Sequence, residues 1–212
     1  MKLKFLEYGT LAEERYFRNM NKLLCCVCII ALSAQVVLAQ QKGTFTDPRD
    51  GKTYKTVKIG VQTWMAENLN YPETGSMCYD DKSANCREYG RLYSWWAAMR
   101  ACPKGWHLPT DTEWEILADF AGGSDTASRK LRAKSGWSDD GNGTDDYGFS
   151  ALPGGGSGSG LYDDAGYFGF WWSATEYDAN DAWARRMVYG SEYVNRNHIV
   201  KSYSFSVRCV QD

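Results

Sequence analysis

A run of 17 residues without a charge, Leu23 to Ala39, sets the terms on which the rest of this chain folds. Lys22 precedes the run, and Val37-Leu38-Ala39 places small or aliphatic residues at −3 and −1 of a cut before Gln40. That is the layout of a secretory signal peptide. The run is short for a membrane span and no basic stop-transfer flank follows it. It is read as a cleaved signal, with a retained N-terminal anchor as the alternative. Residues 1–19 carry mixed charge ahead of it, and Met20 stands as an alternative start. The expected organisation is therefore 1–39 as N-terminal extension and signal peptide, and 40–212 as one domain. An exported chain meets an oxidising compartment, where cysteines pair.

Removing residues 1–39 removes Cys25, Cys26 and Cys28 and leaves Cys78, Cys86, Cys102 and Cys209. An even number in an exported domain reads as two disulfides with three possible connectivities. The short spacing of Cys78 and Cys86 suggests a local clasp, in which case Cys102 and Cys209 tie mid-chain to the last strand. Zinc is the weaker reading, because no C-x2-C pair is present and the whole chain has two histidines.

Charge excludes one class of partner. Lys and Arg number 24 against 26 Asp and Glu, and after residues 1–39 are removed 19 basic and 23 acidic residues remain. Such a balance gives no basic field for nucleic acid. Nine Trp, fourteen Tyr and eight Phe make the chain rich in aromatics, which serve either packing or recognition.

The periodicity changes along the chain. Residues 44–64 alternate like strands around Asp50-Gly51 and Gly60. Leu92, Trp95, Trp96 and Met99 fall at i, i+3, i+4 and i+7, the spacing of one helix face, and Cys102-Pro103 ends that helix. A second helix opens at Thr110-Asp111-Thr112-Glu113, a capping box, with Trp114, Leu117, Ala118 and Ala121 as its apolar face. Ser128 to Lys134 adds a short third piece. Residues 135–170 are rich in Gly, Asp and Ser, yet hold too many aromatics for a linker, and read as long ordered loops. At the end, Tyr203, Phe205, Val207 and Cys209 alternate with Ser202, Ser204, Ser206 and Arg208, the pattern of a half-buried strand. Hairpin, two main helices, long loops and antiparallel strands make an α+β architecture.

Five segments occur in order: Gly60-Val-Gln-Thr-Trp-Met-Ala-Glu-Asn-Leu69, Cys102-Pro-Lys-Gly-Trp-His-Leu-Pro109 running into Glu113-Trp114, Gly143-Thr-Asp-Asp-Tyr-Gly-Phe-Ser-Ala-Leu-Pro153, Trp172-Ser-Ala-Thr-Glu176, and Ser206-Val-Arg-Cys-Val210. Together they resemble the Fibrobacter succinogenes major paralogous domain, over about residues 44–212. The resemblance implies an exported, often surface-associated bacterial protein whose molecular role is largely undefined. The Cys102–Trp114 segment also resembles the second-helix region of C-type-lectin-like folds and of the formylglycine-generating-enzyme superfamily. By that resemblance the fold is C-type-lectin-like, Cys102 pairs with Cys209 and hence Cys78 with Cys86, and ligand chemistry lies in residues 135–200.

Catalysis finds little support in the residues. Formylglycine-generating chemistry needs an exposed, activated thiolate, whereas Cys209 sits in an expected core strand. No serine in 154–160 has Gly at both −2 and +2, so no nucleophile elbow is present. Gly51-Lys52-Thr53 resembles the end of a P-loop, but position 46 is Thr. His107 is conceivable as a general base, though a side chain hydrogen-bonded to loop backbone is the expected state. For metal, Asp140, Asn142 and Asp146 offer hard oxygens for a structural Ca²⁺, without EF-hand spacing; an Asx-rich turn cluster is the simpler expectation.

Recognition remains. Residues 171–198 interleave aromatics with Arg, Asn and Asp, a mix that supplies rigid contact area and adaptable hydrogen bonds. The expected ligand-binding set is Trp172, Tyr177, Asp178, Asn180, Trp183, Arg186, Tyr193 and Arg196, with about half of the aromatics in this segment assigned to packing. Adjacent strand residues face opposite ways, so at least one each of Trp171/Trp172 and Arg185/Arg186 is expected to be exposed. The expected function is that of a secreted or surface-displayed, non-catalytic binding module for a glycan or a surface protein. It needs no cofactor and, after signal cleavage, is not an integral membrane protein. An assembly subunit of a surface complex is the alternative, and a divergent enzyme of the formylglycine-generating superfamily comes third.

Overall fold

A computed structural model describes residues 41–158 and 161–212. The apolar run, and the signal-peptide reading that rests on it, lie outside the described residues. The N-terminal hairpin pairs β1 (Lys42–Thr46) with β2 (Thr53–Ile59), Phe45 opposite Tyr54. Its connection is held by Asp47, fully buried, which accepts from the backbone N–H of Arg49 at 3.0 Å and from its guanidinium Nη2 at 2.7 Å. Burial pushes the Asp47 carboxyl pKa up, but the Arg49 hydrogen bonds outweigh it and hold the value below the ordinary range. The Arg49 guanidinium lies 3.8 Å from the centroid of the Tyr71 ring and donates to the carbonyl of Ala101, so the turn is fixed against the body of the domain. Two residues, Gly60 and Val61, turn β2 into β3 (Gln62–Met65), and Gly60 takes φ +60° there.

Beyond β3 come β4 (Ser76–Met77), a 3-10 turn (Tyr79–Asp81), α1 (Ser83–Tyr89) and β5 (Leu92–Ser94). The helix α2 (Trp95–Ala101) starts where the Ser94 hydroxyl accepts from the N–H of Ala97. This corrects the helix expected from Leu92: Leu92 belongs to a strand, and Trp95, Ala97, Ala98 and Ala101 are the buried residues of α2. Trp96 and Met99 are exposed. A short β6 (Trp106–His107) leads into α3 (Asp111–Phe120), whose Thr110–Glu113 capping box and buried Trp114, Leu117 and Ala118 match the expected pattern. The third piece, α4, is Ala127–Leu131.

The long-loop region contains a small hairpin, β7 (Gly156–Gly158) with β8 (Leu161–Asp163). The chain then forms β9 (Phe168–Glu176), β10 (Asp181–Val188), β11 (Asn195–Val200), β12 (Ser204–Ser206) and β13 (Val210–Gln211). Two sheets result, one in the order β1-β2-β3-β13-β6, the other β11-β10-β9-β12-β5-β4 with β7 joined to β12. Pairings are antiparallel except between β9 and β12, which run parallel with Ser206 opposite Trp171. The fold is α+β, with four α-helices among the described residues.

The terminal segment differs from the half-buried strand expected. It leaves one sheet as β12 and enters the other as β13, and every residue from Ser204 to Val210 is buried. Ser204 and Ser206 fit there because they are small. The same two-sided cover explains the tryptophans. Trp171 packs with Trp64, Trp114 and Phe149 in one core cluster, and Trp172 with Tyr93, Trp95 and Phe205 in the other. Both are fully buried, so the expectation that one of the pair faces water fails. Seven of the nine tryptophans are buried, and indole N–H groups find carbonyls inside: Trp172 donates to Tyr93 at 2.8 Å, Trp95 to Ser173 at 2.9 Å. Most of the aromatic excess is core. The two disulfides are Cys78–Cys86 and Cys102–Cys209, the pairing expected.

Candidate functional site

The outer strands of the larger sheet bring aromatic and cationic side chains together on one face. Across the β10–β11 ladder, Trp183 stands opposite His198 and Arg185 opposite Arg196, so these four share one face. The first residue of α3, Asp111, reaches that face from the side. Its carboxylate pairs with the buried Arg185 Nη1 at 2.6 Å and with Arg196 Nε at 2.7 Å. Burial pulls the Arg185 pKa down, and Asp111 partly restores it. Held by its Nε, the Arg196 guanidinium lies over the Trp183 ring, its carbon 3.2 Å from the ring centroid.

Tyr177, at the start of the β9–β10 connection, completes the cluster. Its ring stacks on the His198 imidazole at 4.0 Å between centroids and meets Trp183 edge-on at 5.0 Å. His198 Nδ1 bonds to Asp181 Oδ2 at 2.8 Å, which orients the ring. Tyr177 is 50% exposed. The connection itself is rigid. Asp178 Oδ1 accepts from the N–H groups of Asn180 and Asp181, both at 2.8 Å, and these bonds hold the carboxyl pKa down. Beneath it the buried Lys201 ammonium donates to Glu176 Oε1 and to the carbonyls of Asp178 and Ala179. The arrangement is a preorganised platform with a flat, weakly hydrated cation beside an open aromatic ring.

Of the expected ligand-binding residues, Tyr177, Trp183 and Arg196 come together here, with Asp178 and Asn180 in the turn that carries Tyr177. Trp172 does not belong: it is fully buried because β9 is covered on both faces. Arg186 points the other way along β10 and is half-buried, while Arg185 is buried, so neither is the exposed arginine expected. Tyr193 is exposed in the loop between β10 and β11, apart from the cluster. His198 and Asp111 were not in the expected set, although His198 lies in the interleaved segment.

His107 also differs from expectation. Both ring nitrogens meet carboxylates, Nδ1 with Asp212 at 2.6 Å and Nε2 with Glu113 at 2.8 Å. Desolvation lowers its pKa, but the bonds to Asp212 and Glu113 win and raise it. This clamp joins α3 to the residue after the last strand and engages both ring nitrogens.

In the loop considered for calcium, Asn142 Oδ1 accepts from the N–H of Trp137 at 3.1 Å, Asp140 is exposed in left-handed backbone, and the Asp146 N–H donates to the Lys130 carbonyl. Among the described residues no group of three or more His, Cys, Asp or Glu is placed to hold a metal ion. A cleft of about 390 Å³ lies between the N-terminal hairpin and the 145–152 loop, bordered by Lys42, Lys55, Glu67, Asp145 and Ser150. Its carboxylates anchor backbone: Glu67 Oε2 accepts from the Lys55 N–H and Asp145 Oδ1 from the Ser150 N–H, both at 2.7 Å.

Fold and site thus define a disulfide-bonded α+β domain that presents a rigid aromatic–cationic platform on its outermost strands. Residues 57–211 match the Fibrobacter succinogenes major domain, and the chain belongs to that family. No curated protein and no solved structure matches it. Among the described residues no helix is long and apolar enough to cross a membrane.

Proposed function

We propose that this chain is a secreted or surface-displayed, non-catalytic binding module of C-type-lectin-like architecture, and that the Tyr177–Trp183–Arg196–His198 platform receives a glycan. The observation that carries this reading is the half-exposed Tyr177 ring, locked on His198 beside the Arg196 guanidinium. A sugar presents an apolar C–H face to such a ring and its hydroxyls to the flanking donors. Holding these groups in place before binding lowers the ordering cost of association. The lectin-like architecture draws support from the Cys102–Cys209 bond, which ties the end of α2 to the terminal strand. A non-catalytic role draws support from the same bond, because it leaves Cys209 no free thiolate. Assembly into a surface complex is the second reading, favoured by Val61, Ile116 and Phe120, large apolar side chains exposed on the β2–β3 turn and α3.

The test is a glycan-array screen of the oxidised chain, with calcium and again with chelator. Binding is expected to fall about tenfold or more in Tyr177→Ala and Arg196→Gln, the loss of a central contact. Loss with chelator would bring the Asp140–Asp146 loop into the site. A blank array from folded protein would sink the glycan reading and favour assembly.

A further inference from the structure

The two cystines of this domain are alike in exposure, each joining a half-buried residue to a buried one: Cys78 to Cys86, 6% exposed, and Cys102 to Cys209, fully buried. They differ in their surroundings. Arg91 Nη1 sits between the two sulfurs of the first, donating to Cys78 Sγ at 3.7 Å and Cys86 Sγ at 3.6 Å. The guanidinium is fixed there, since its Nε donates to Ser76 Oγ at 2.8 Å and its Nη2 to the Ser76 carbonyl at 3.1 Å. A neutral cystine gains little from a cation. A thiolate gains much, because the charge-assisted bond lowers its pKa and makes it a better leaving group.

The geometry points to Cys78–Cys86 as a thiol-exchange site that takes up a low-molecular-weight thiol. The incoming thiolate attacks the more accessible Cys78 Sγ in line with the S–S bond. A new bond forms between that sulfur and the incoming one, the S–S bond breaks, and its electron pair leaves with Cys86 Sγ, which becomes a thiolate held by Arg91. The product is a mixed disulfide on Cys78. A second equivalent of thiol attacking that mixed disulfide releases the oxidised small molecule and leaves both cysteines reduced. Exchange stays local, because the segment is also held by the β4–β5 pairing, by Asn85 Nδ2 donating to the Tyr79 carbonyl, and by Asn68 Nδ2 donating to that of Tyr89.

The experiment uses the full oxidised chain with free thiols blocked by N-ethylmaleimide. It is exposed to graded reduced glutathione, trapped with iodoacetamide, and read by peptide mass spectrometry with circular dichroism alongside. Glutathione adducts are expected on Cys78, and the Cys78–Cys86 bond is expected to open about tenfold faster than Cys102–Cys209 while the fold persists. Arg91→Met should slow that opening about 3–10-fold, and Arg91→Lys, which keeps the charge, should stay near the parent rate. Ser76→Ala loosens the guanidinium without removing it and should fall between them. Equal rates for the two cystines would overturn the proposal. So would an Arg91→Met variant that opens as fast as the parent or faster, since Arg91 would then act as a cover for the bond and not as its charge partner.

Discussion

At the scale of single residues, the domain turns on a buried charge that Asp145 and Glu67 act on without either forming an ion pair with it. Arg208 is fully buried, and desolvation pulls its pKa down to about 9, still high enough to keep it protonated at neutral pH. Its guanidinium is satisfied by neutral acceptors. Nε and Nη2 both donate to Asn68 Oδ1, at 3.1 and 2.8 Å, Nη1 donates to the Phe149 carbonyl and Nη2 to that of Ser150. Asn68 Oδ1 also accepts from the Trp171 indole at 2.9 Å, while its Nδ2 donates to the Tyr89 carbonyl at 2.8 Å. One carboxamide therefore joins the segment after β3, the end of α1, β9 and the link from β12 to β13. Asn68→Ala removes a shared acceptor and leaves a buried cation and an indole N–H short of partners. The expected loss is about 3–5 kcal/mol, read from urea unfolding. A loss below about 1 kcal/mol would mean that water or a shifted carbonyl replaces the carboxamide. Three of the five segments that carry the family resemblance meet at this node, through Asn68, through Phe149 and Ser150, and through Arg208. The platform on β10 and β11 lies outside those segments.

At the scale of elements, the most local signals were the most legible. The capping box and apolar stripe of α3 are complete within one stretch of chain, so reading 110–121 was enough. In α2 the same periodicity picked the buried Trp95 but also two residues that face out, and it missed the alanines. Alanines let the helix lie close to the sheet, while Trp96 and Met99, which look like core, face out. The helix α1 gave no signal, because Ser83–Tyr89 is polar and buries only Cys86. Alternation also misled wherever both faces of a strand are dry, which is why Trp172 and the Ser204–Val210 segment were expected to be half exposed. For the site, Tyr177, Trp183 and Arg196 were visible as composition, but Asp111 was not. That carboxylate joins them through tertiary packing that no local pattern encodes.

The His107 clamp carries a pH dependence at this same scale. Its folded pKa lies above the ordinary 6.5, so its contribution is fully present below that value and is lost as pH rises through the folded pKa. Desolvation raises the Glu113 pKa, but bonds from Thr110 and His107 bring it below the ordinary 4.5, so its contribution is present above 4.5 and is lost as pH falls through the folded value. The clamp is therefore strongest between the two. The urea midpoint should decline as pH rises from 6.5 through the raised folded pKa in the parent and lose that limb in His107→Asn. An unchanged limb in the variant would assign the decline to other groups.

At the scale of the whole molecule, the terminal segment unites the two sheets, and the Cys102–Cys209 bond fastens it. Cys209 lies between β12 in one sheet and β13 in the other, and Cys102 follows α2, so the bond holds the crossing point to the helical layer. Its partners are 107 residues apart, against 8 for Cys78–Cys86. In the chain-entropy account the longer closure restricts the unfolded chain more, by about 4–5 kcal/mol against about 2–3 kcal/mol, with native strain reducing either figure. Calorimetry of Cys102→Ala/Cys209→Ala should therefore show the larger fall, about 5–15 °C in Tm, and Cys78→Ala/Cys86→Ala a smaller one. Cys209 and Cys102 also pack in a core cluster that Cys78 and Cys86 do not join, so a packing loss adds to the difference in loop length. If the local pair proved equally costly, its stabilisation would have to come from the native contacts of the Cys78–Arg91 segment. In that case Arg91→Met, which leaves the bond intact, should reproduce part of the loss.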